Sequence, residues 1–300
     1  MLKHLKILCI LCCMALWGFL FSAVPVFAYS QHNSGTAVNS SSGAGTSYNW
    51  SGYVASGGSF TSVGSSWNIS PAISPSTNTA EATWIGIGGV TSSDLIQVGT
   101  QTIINSSGQI VYQAFYEILP SDSVIIPVTI NPGDSVTATV SQQSTGQWSI
   151  YFIDNNNGQS YQTTLQYGSS LSSAEWIEEM PTDASTNSFI PINNFGTRQF
   201  YNASTTKNGI SENLLNSGVQ QLTMLNTNGQ ALVSTSAIGS DGASFTATRT
   251  SAVPTTSVSA FGRGNWHRVG RGISGFAFRK TSYLNVHRGM GRRFIMSRFF

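Results

Sequence analysis

The 300 residues suffice for one large β domain or two small ones, with ample material for a core. Only 9% are charged, against about 25% in ordinary soluble chains, and Ser, Thr, Asn, Gln and Gly carry the polarity instead. The net charge of +2 hides a split: from Tyr29 to Ala252 three basic residues (Arg198, Lys207 and Arg249) stand against all 12 acids, 3 − 12 = −9, which speaks against a nucleic-acid partner and its basic face.

The chain opens with the basic stretch "MLKHLK", an apolar run "ILCILCCMALWGFLF" and the small-residue site "VFA" ending at Ala28. This pattern predicts a secretory signal peptide over residues 1–28, with a retained membrane anchor as the alternative. Secretion without stable membrane insertion is the expectation. Cys9, Cys12 and Cys13 all lie in that segment, so the exported chain has neither a disulfide nor a thiol. Residues 29–46 are poor in apolar side chains and rich in Ser and Gly, and read as a flexible leader or short propeptide.

Residues 47–252 change character. "NWSGYVASGGSFTSVGSSWNI" predicts a hairpin turning at Gly57-Gly58. "ATWIGIGGV", "SDLIQVGTQTII" and "GQIVYQAFYEILP" follow, the last two separated by a turn at Asn105–Gly108. Further short runs lead to "SSAEWIEEMPT" and close at "ASFTATRT". Asn156-Asn157-Gly158 and Asn228-Gly229 are hairpin turn signals. About a dozen short strands at roughly 8–12-residue spacing, with almost no helical periodicity, predict an all-β sandwich or barrel. Residues 253–300 are basic, aromatic and free of acids. They read as a disordered tail, or as a basic anchor for an anionic surface.

Missing residues narrow the chemistry. The histidines are His4, His32, His267 and His287, none of them in the β body, so a Ser-His-Asp triad has no base there and ordinary zinc sites lack ligands. No metal or cofactor is expected. If the chain is an enzyme, carboxylates and amides carry it. In "SSAEWIEEMPT" strand alternation puts Glu175, Ile177 and Glu179 on one face and Ala174, Trp176 and Glu178 on the other. Glu175 is then either part of a solvated edge strand or a catalytic acid. Glu178 beside Glu179 reads as a solvated pair. In "DLIQVGTQT", Gln97 shares a face with Gly99, which leaves space beside its amide. That amide either bonds within the sheet or serves a ligand.

Taken together, "NWSGYV", "TWIGIGG", "LIQVGT", "YQAFYEILP", "PGDSV" and "AEWIEE", in this order between Ser47 and Thr250, resemble the glutamic peptidases, or eqolisins. The resemblance implies a two-sheet antiparallel β-sandwich of the lectin-like jelly-roll kind. It also implies endopeptidase activity in acid without a metal or cofactor, acting on protein or peptide substrates. The family's catalytic Gln lands on Gln97 and its Glu on Glu175, the two sharing a water across an open groove. Trp50, Trp84, Tyr116 and Glu117 match positions that line or support the cleft. Two departures stand out: Gly88 where an acid is often found, and Gln101 near Gln97. Nothing in the sequence demands more than a monomer. Two other readings remain open at this level: a glycoside hydrolase using Glu117 with Glu175, and a non-catalytic carbohydrate-binding module on a similar sandwich.

Overall fold

The computed structural model describes residues 44–183 and 188–255. The expected signal peptide, all but the end of the leader, and nearly all of the basic tail lie outside them. In chain order the strands are β1 (Ala44–Ser47), β2 (Trp50–Ser56), β3 (Phe60–Asn68), β4 (Thr79–Gly88), β5 (Leu95–Ile104), β6 (Ile110–Ile118), β7 (Val124–Ile126), β8 (Ser135–Ser144) and β9 (Gln147–Asp154). They continue with β10 (Ser160–Gln166), β11 (Ser173–Glu179), β12 (Thr182–Asp183), β13 (Ser188–Phe189), β14 (Thr197–Lys207), β15 (Ile210–Asn213), β16 (Val219–Leu225), β17 (Ala231–Thr235) and β18 (Phe245–Arg249). Among the described residues the one helical element is a single 3-10 turn, Leu215–Ser217.

The expected all-β sandwich is present, as one sheet folded over on itself. Its strand order is β10-β9-β8-β3-β14-β18-β17-β16-β2-β11-β4-β5-β6-β7. The back layer is β10-β9-β8-β3-β14, the front layer β2-β11-β4-β5-β6-β7, and β18-β17-β16 connect them along one side. Among the described strands pairing is antiparallel, except that β1 runs parallel to β16, with Ala44 opposite Gln221, and a lone parallel bridge joins Ala80 to Ile192. Ordered sheet thus begins three residues before Ser47.

The alternation read from the sequence sets the core. In β8, Val136, Ala138 and Val140 are buried while their neighbours are half-buried, as a strand with one apolar face requires. Phe60, Trp67, Trp148, Phe152, Trp176 and Phe200 fill the space between the layers. The three indoles there each find an acceptor: Trp67 Nε1 donates to Thr100 Oγ1 at 2.9 Å, Trp148 Nε1 to the Tyr167 carbonyl at 3.1 Å, and Trp176 Nε1 to the Gly64 carbonyl at 3.1 Å. Such pairing removes the penalty for burying the indole N–H.

Three of the turn signals deliver hairpins: β5 with β6 around Gly108, β9 with β10 around Gly158 and β16 with β17 around Gly229. The Gly57-Gly58 signal does not. β2 pairs with β11 and β16 in the front layer, and β3 with β8 and β14 in the back layer. The glycine turn carries the chain from one layer to the other, a use that local sequence does not distinguish from a hairpin.

Candidate active site

β11 lies between β2 and β4 in the middle of the front layer, and all seven of its residues are buried. The edge-strand reading of "SSAEWIEEMPT" is therefore excluded. Ala174 and Trp176 enter the core between the layers, with Glu178 on the same side. Glu175, Ile177 and Glu179 share the opposite face.

Register builds the site on that opposite face. Glu175 of β11 stands opposite Gly86 of β4, Gly86 opposite Gln97 of β5, and Gln97 opposite Glu117 of β6. Residues directly opposite in a ladder project to the same side, so the four positions form one row across the sheet. At about 4.8 Å per strand, the Glu175 and Gln97 Cα atoms are about 10 Å apart, and the residue between them has no side chain. A Cβ at Gly86 would lie 2.9 Å from Leu95 Cδ1 and 3.0 Å from Trp84 Cζ3, closer than packed carbons approach. A side chain there would force these neighbours to shift, and Glu175 and Gln97 flank the position on the same face.

The environment of the row is dry. Gln97, Glu117 and Glu175 are each 0% exposed, so the row is closed where an open groove was expected. Gln97 Nε2 donates to Glu117 Oε2 at 2.5 Å, which fixes the orientation of the amide. Neither Glu175 oxygen has a hydrogen-bond partner among the described residues. Burial therefore pushes its pKa well above the ordinary carboxyl value. The Ser173 hydroxyl, near but off hydrogen-bonding geometry, pulls the other way, and the negative charge of Asp94 adds to the rise. Burial thus favours the neutral acid over the carboxylate. A buried carboxyl without a partner is costly and rare in a purely structural role, and it marks a place where a water or substrate group is meant to enter.

The other expected site residues divide. Trp50 and Trp84 share the face of the row, their rings edge-to-face with centroids 5.2 Å apart. Gly99 does not open space beside Gln97, because a Cβ there would be 2.3 Å from the Thr83 carbonyl oxygen and 2.5 Å from Trp84 Cβ: the neighbouring strand β4 has taken that room. Glu117 joins the row as the partner of Gln97. Tyr116, next to it in β6, points to the other side and stacks on Tyr161 at 6.2 Å, so it does not join the cleft residues. Glu178 and Glu179 are not a solvated pair, since both are buried and they face opposite ways.

Glu179 was passed over in the sequence, although its i, i+4 spacing from Glu175 puts both on one face. It accepts from Trp84 Nε1 at 2.6 Å and from Asn49 Nδ2 at 3.3 Å. Among the described residues no group of three or more His, Cys, Asp and Glu is arranged to hold a metal ion.

The fold is thus an antiparallel sandwich that carries a buried carboxyl and an oriented carboxamide on one face, with neither histidine nor cysteine in its β body. Residues 48–247 match the model of the peptidase A4 family, and the chain belongs to that family, the eqolisins or glutamic endopeptidases. The chain is similar to scytalido-glutamic peptidase crystallised with a transition-state analogue inhibitor, at 25% identity and a TM-score of 0.59, over 68% of this chain and 98% of that one. It is similar to the eqolisin SCP-B in complex with the tripeptide Ala-Ile-His, at 25% identity and a TM-score of 0.56, over 68% and 98%. Aspergilloglutamic peptidase from Aspergillus niger matches at 28% identity and a TM-score of 0.51, over 57% of this chain and 99% of that one. No curated protein sequence matches the chain. Its substrates are proteins or peptides, which sets the carbohydrate readings aside. Among the described residues no helix is long and apolar enough to cross a membrane.

Proposed function

We propose that the chain is a secreted, monomeric endopeptidase that works in acid through Gln97 and Glu175. The observation carrying this reading is the unpartnered, buried Glu175 carboxyl set in register with Gln97 over the side-chain-free Gly86. Entry of water solvates the carboxyl and lets it ionise. As carboxylate it takes a proton from the water that attacks the peptide carbonyl, and it then returns that proton to the departing amine nitrogen. General acid–base transfer of this kind is worth about 10²–10⁴ in rate. Gln97, its amide held by Glu117, positions the water and donates an N–H to the developing oxyanion, worth about 10²–10³. Trp50 and Trp84 form the wall beside the reacting atoms. Because Gln97 does not titrate, the rising acid limb of the rate profile belongs to Glu175.

The test is turnover of an acid-denatured protein such as haemoglobin by Glu175→Gln and Gln97→Ala, with folding checked by circular dichroism. Both variants are expected to fold normally and to lose at least about 10²-fold in kcat. Normal turnover by the Glu175 variant overturns the assignment.

A further inference from the structure

Three successive rows cross the front layer on the face of the site. The first holds Glu175, Gly86 and Gln97; the second Ile177, Trp84 and Gly99; the third Trp50, Glu179, Ala82 and Gln101. One indole links all three. Trp84 starts in the middle row. Its Cζ3 reaches to 3.0 Å from the position a Gly86 Cβ would occupy, on the floor of the gap between Glu175 and Gln97. Its Nε1, on the other ring, donates to Glu179 Oε2 in the third row at 2.6 Å. The other Glu179 oxygen accepts from Asn49 Nδ2, and Asn49 in turn accepts from Ser47 Oγ at 3.2 Å. Glu179 is thus the fixed end of a lever whose free end is the floor of the catalytic gap.

We propose that Glu179 is a positioning residue for the peptidase reaction: by holding the Trp84 indole and the Asn49 amide together, it sets where Trp84 meets the gap between Glu175 and Gln97. The proposal rests on the reading of Gln97 and Glu175 given above.

The protonation state of this anchor matters. Burial pushes the Glu179 carboxyl up to about 7, against the opposing pull of the hydrogen bonds from Trp84 and Asn49 and of the nearby Trp50 indole N–H. The groups facing it are Trp50 and Asn49 from β2 and the turn before it, and Trp84 and Ala82 from β4. None of these titrates near neutrality. The carboxyl nearest on its own face of β11 is Glu175, and Arg198 is engaged with Glu81 and Glu178 on the opposite face. Among the described residues no cation meets Glu179 when it ionises, so the dry, aromatic surroundings must rearrange around the new charge. In acid the indole is held by a neutral carboxyl, and that hold changes as the group ionises toward neutrality, which gives the rate profile its falling limb.

The experiment compares wild-type protein with Glu179→Gln and Glu179→Leu, using acid-denatured haemoglobin as substrate and tryptophan emission as a second readout. Gln keeps an acceptor for Trp84 Nε1 and cannot ionise. It is expected to retain wild-type kcat and KM in acid, to move the falling limb up by at least about one pH unit, and to abolish a wild-type emission change centred near pH 7. Leu removes the anchor. It is expected to lower kcat by up to about a hundredfold, the effect of an ångström-scale misplacement, with less change in KM. A falling limb or an emission change that persists unaltered in Glu179→Gln overturns the proposal, whether or not Glu179→Leu folds. Wild-type protein that shows the emission change but no turnover strikes the catalytic reading of Gln97 and Glu175 and leaves the anchor standing.

Discussion

Glu175 and Glu178 lie three residues apart on one strand, both fully buried, and their surroundings are opposites. Glu178 faces the core, where its Oε2 accepts from Thr83 Oγ1 at 2.8 Å and meets Arg198 Nε at 3.5 Å. The same guanidinium donates to Glu81 Oε1 at 2.8 Å and to the Asn68 carbonyl at 2.5 Å, tying β14 of the back layer to β4 and β11 of the front. Burial and the charge of Glu81 still raise the Glu178 carboxyl well above its ordinary value, against the pull of Arg198. Glu175 faces the other way and meets no cation among the described residues. A buried carboxyl answered by a guanidinium holds the layers together; one left unanswered keeps its capacity for chemistry.

The comparison breaks most sharply in activity. Glu175→Gln is expected to cost up to about 10⁴ in kcat while leaving the melting temperature at or above that of the parent, since it removes an unpartnered buried acid. A lower melting temperature would make Glu175 a structural group like its neighbour. Arg198→Met inverts the pattern by stranding Glu81 and Glu178, and is expected to cost about 3–5 kcal/mol in chemical denaturation. A loss under about 1 kcal/mol would show that the cluster does not bind the layers.

A third outcome concerns pH. The folded-state values of Glu175, Glu178 and Glu179 all lie above the ordinary 4.5, so between that value and the folded one the native state binds more protons than the unfolded chain. The stability they contribute is complete below about pH 4.5 and is lost as pH rises through the folded values. For Glu179, raised to about 7, the loss is about 3 kcal/mol. Thermal melts from about pH 4 to pH 8 should show a continuous fall, and a melting temperature that rises toward neutrality would contradict the burial of these groups. The smallest effect is at Tyr167, whose hydroxyl accepts from Leu95 N at 2.7 Å and donates to the Leu119 carbonyl at 3.0 Å. Tyr167→Phe should cost about 1 kcal/mol, measured by denaturant titration, with kcat nearly intact.

Much of this was legible in the sequence. Strand alternation places Glu175 and Glu179 on one face of β11, and "LIQVGT" offers Gln97. Their meeting was not legible from pattern alone, because register between β11, β4 and β5 is a long-range choice. Gly86 looks like any strand glycine until the row is assembled around it. Tyr116 stands off the row for a simpler reason: it is adjacent to Glu117, so only one of the two can face that side. The missing acid at Gly88 has a spatial answer. Asp94 Oδ2 lies 3.0 Å from where a Cβ at 88 would stand, so a carboxylate reaches that place from the loop leading into β5. Half-burial pushes the Asp94 carboxyl up, but hydrogen bonds from Ser92, Ser169 and Ser170 outweigh it and hold the group below its usual value.

The folded-over sheet has a mechanical consequence. Along β14, β18, β17 and β16 the two layers share an unbroken ladder of main-chain bonds, like the spine of a book. At the fore-edge, β7 and β10 end the ladder, and the pages are clasped by side chains: Tyr116 against Tyr161, and the Tyr167 hydroxyl reaching across to Leu95 and Leu119. Opening such a fold starts at the clasp and leaves the spine for last. Amide exchange should accordingly be quickest in β7 and β10 and slowest from β14 through β16.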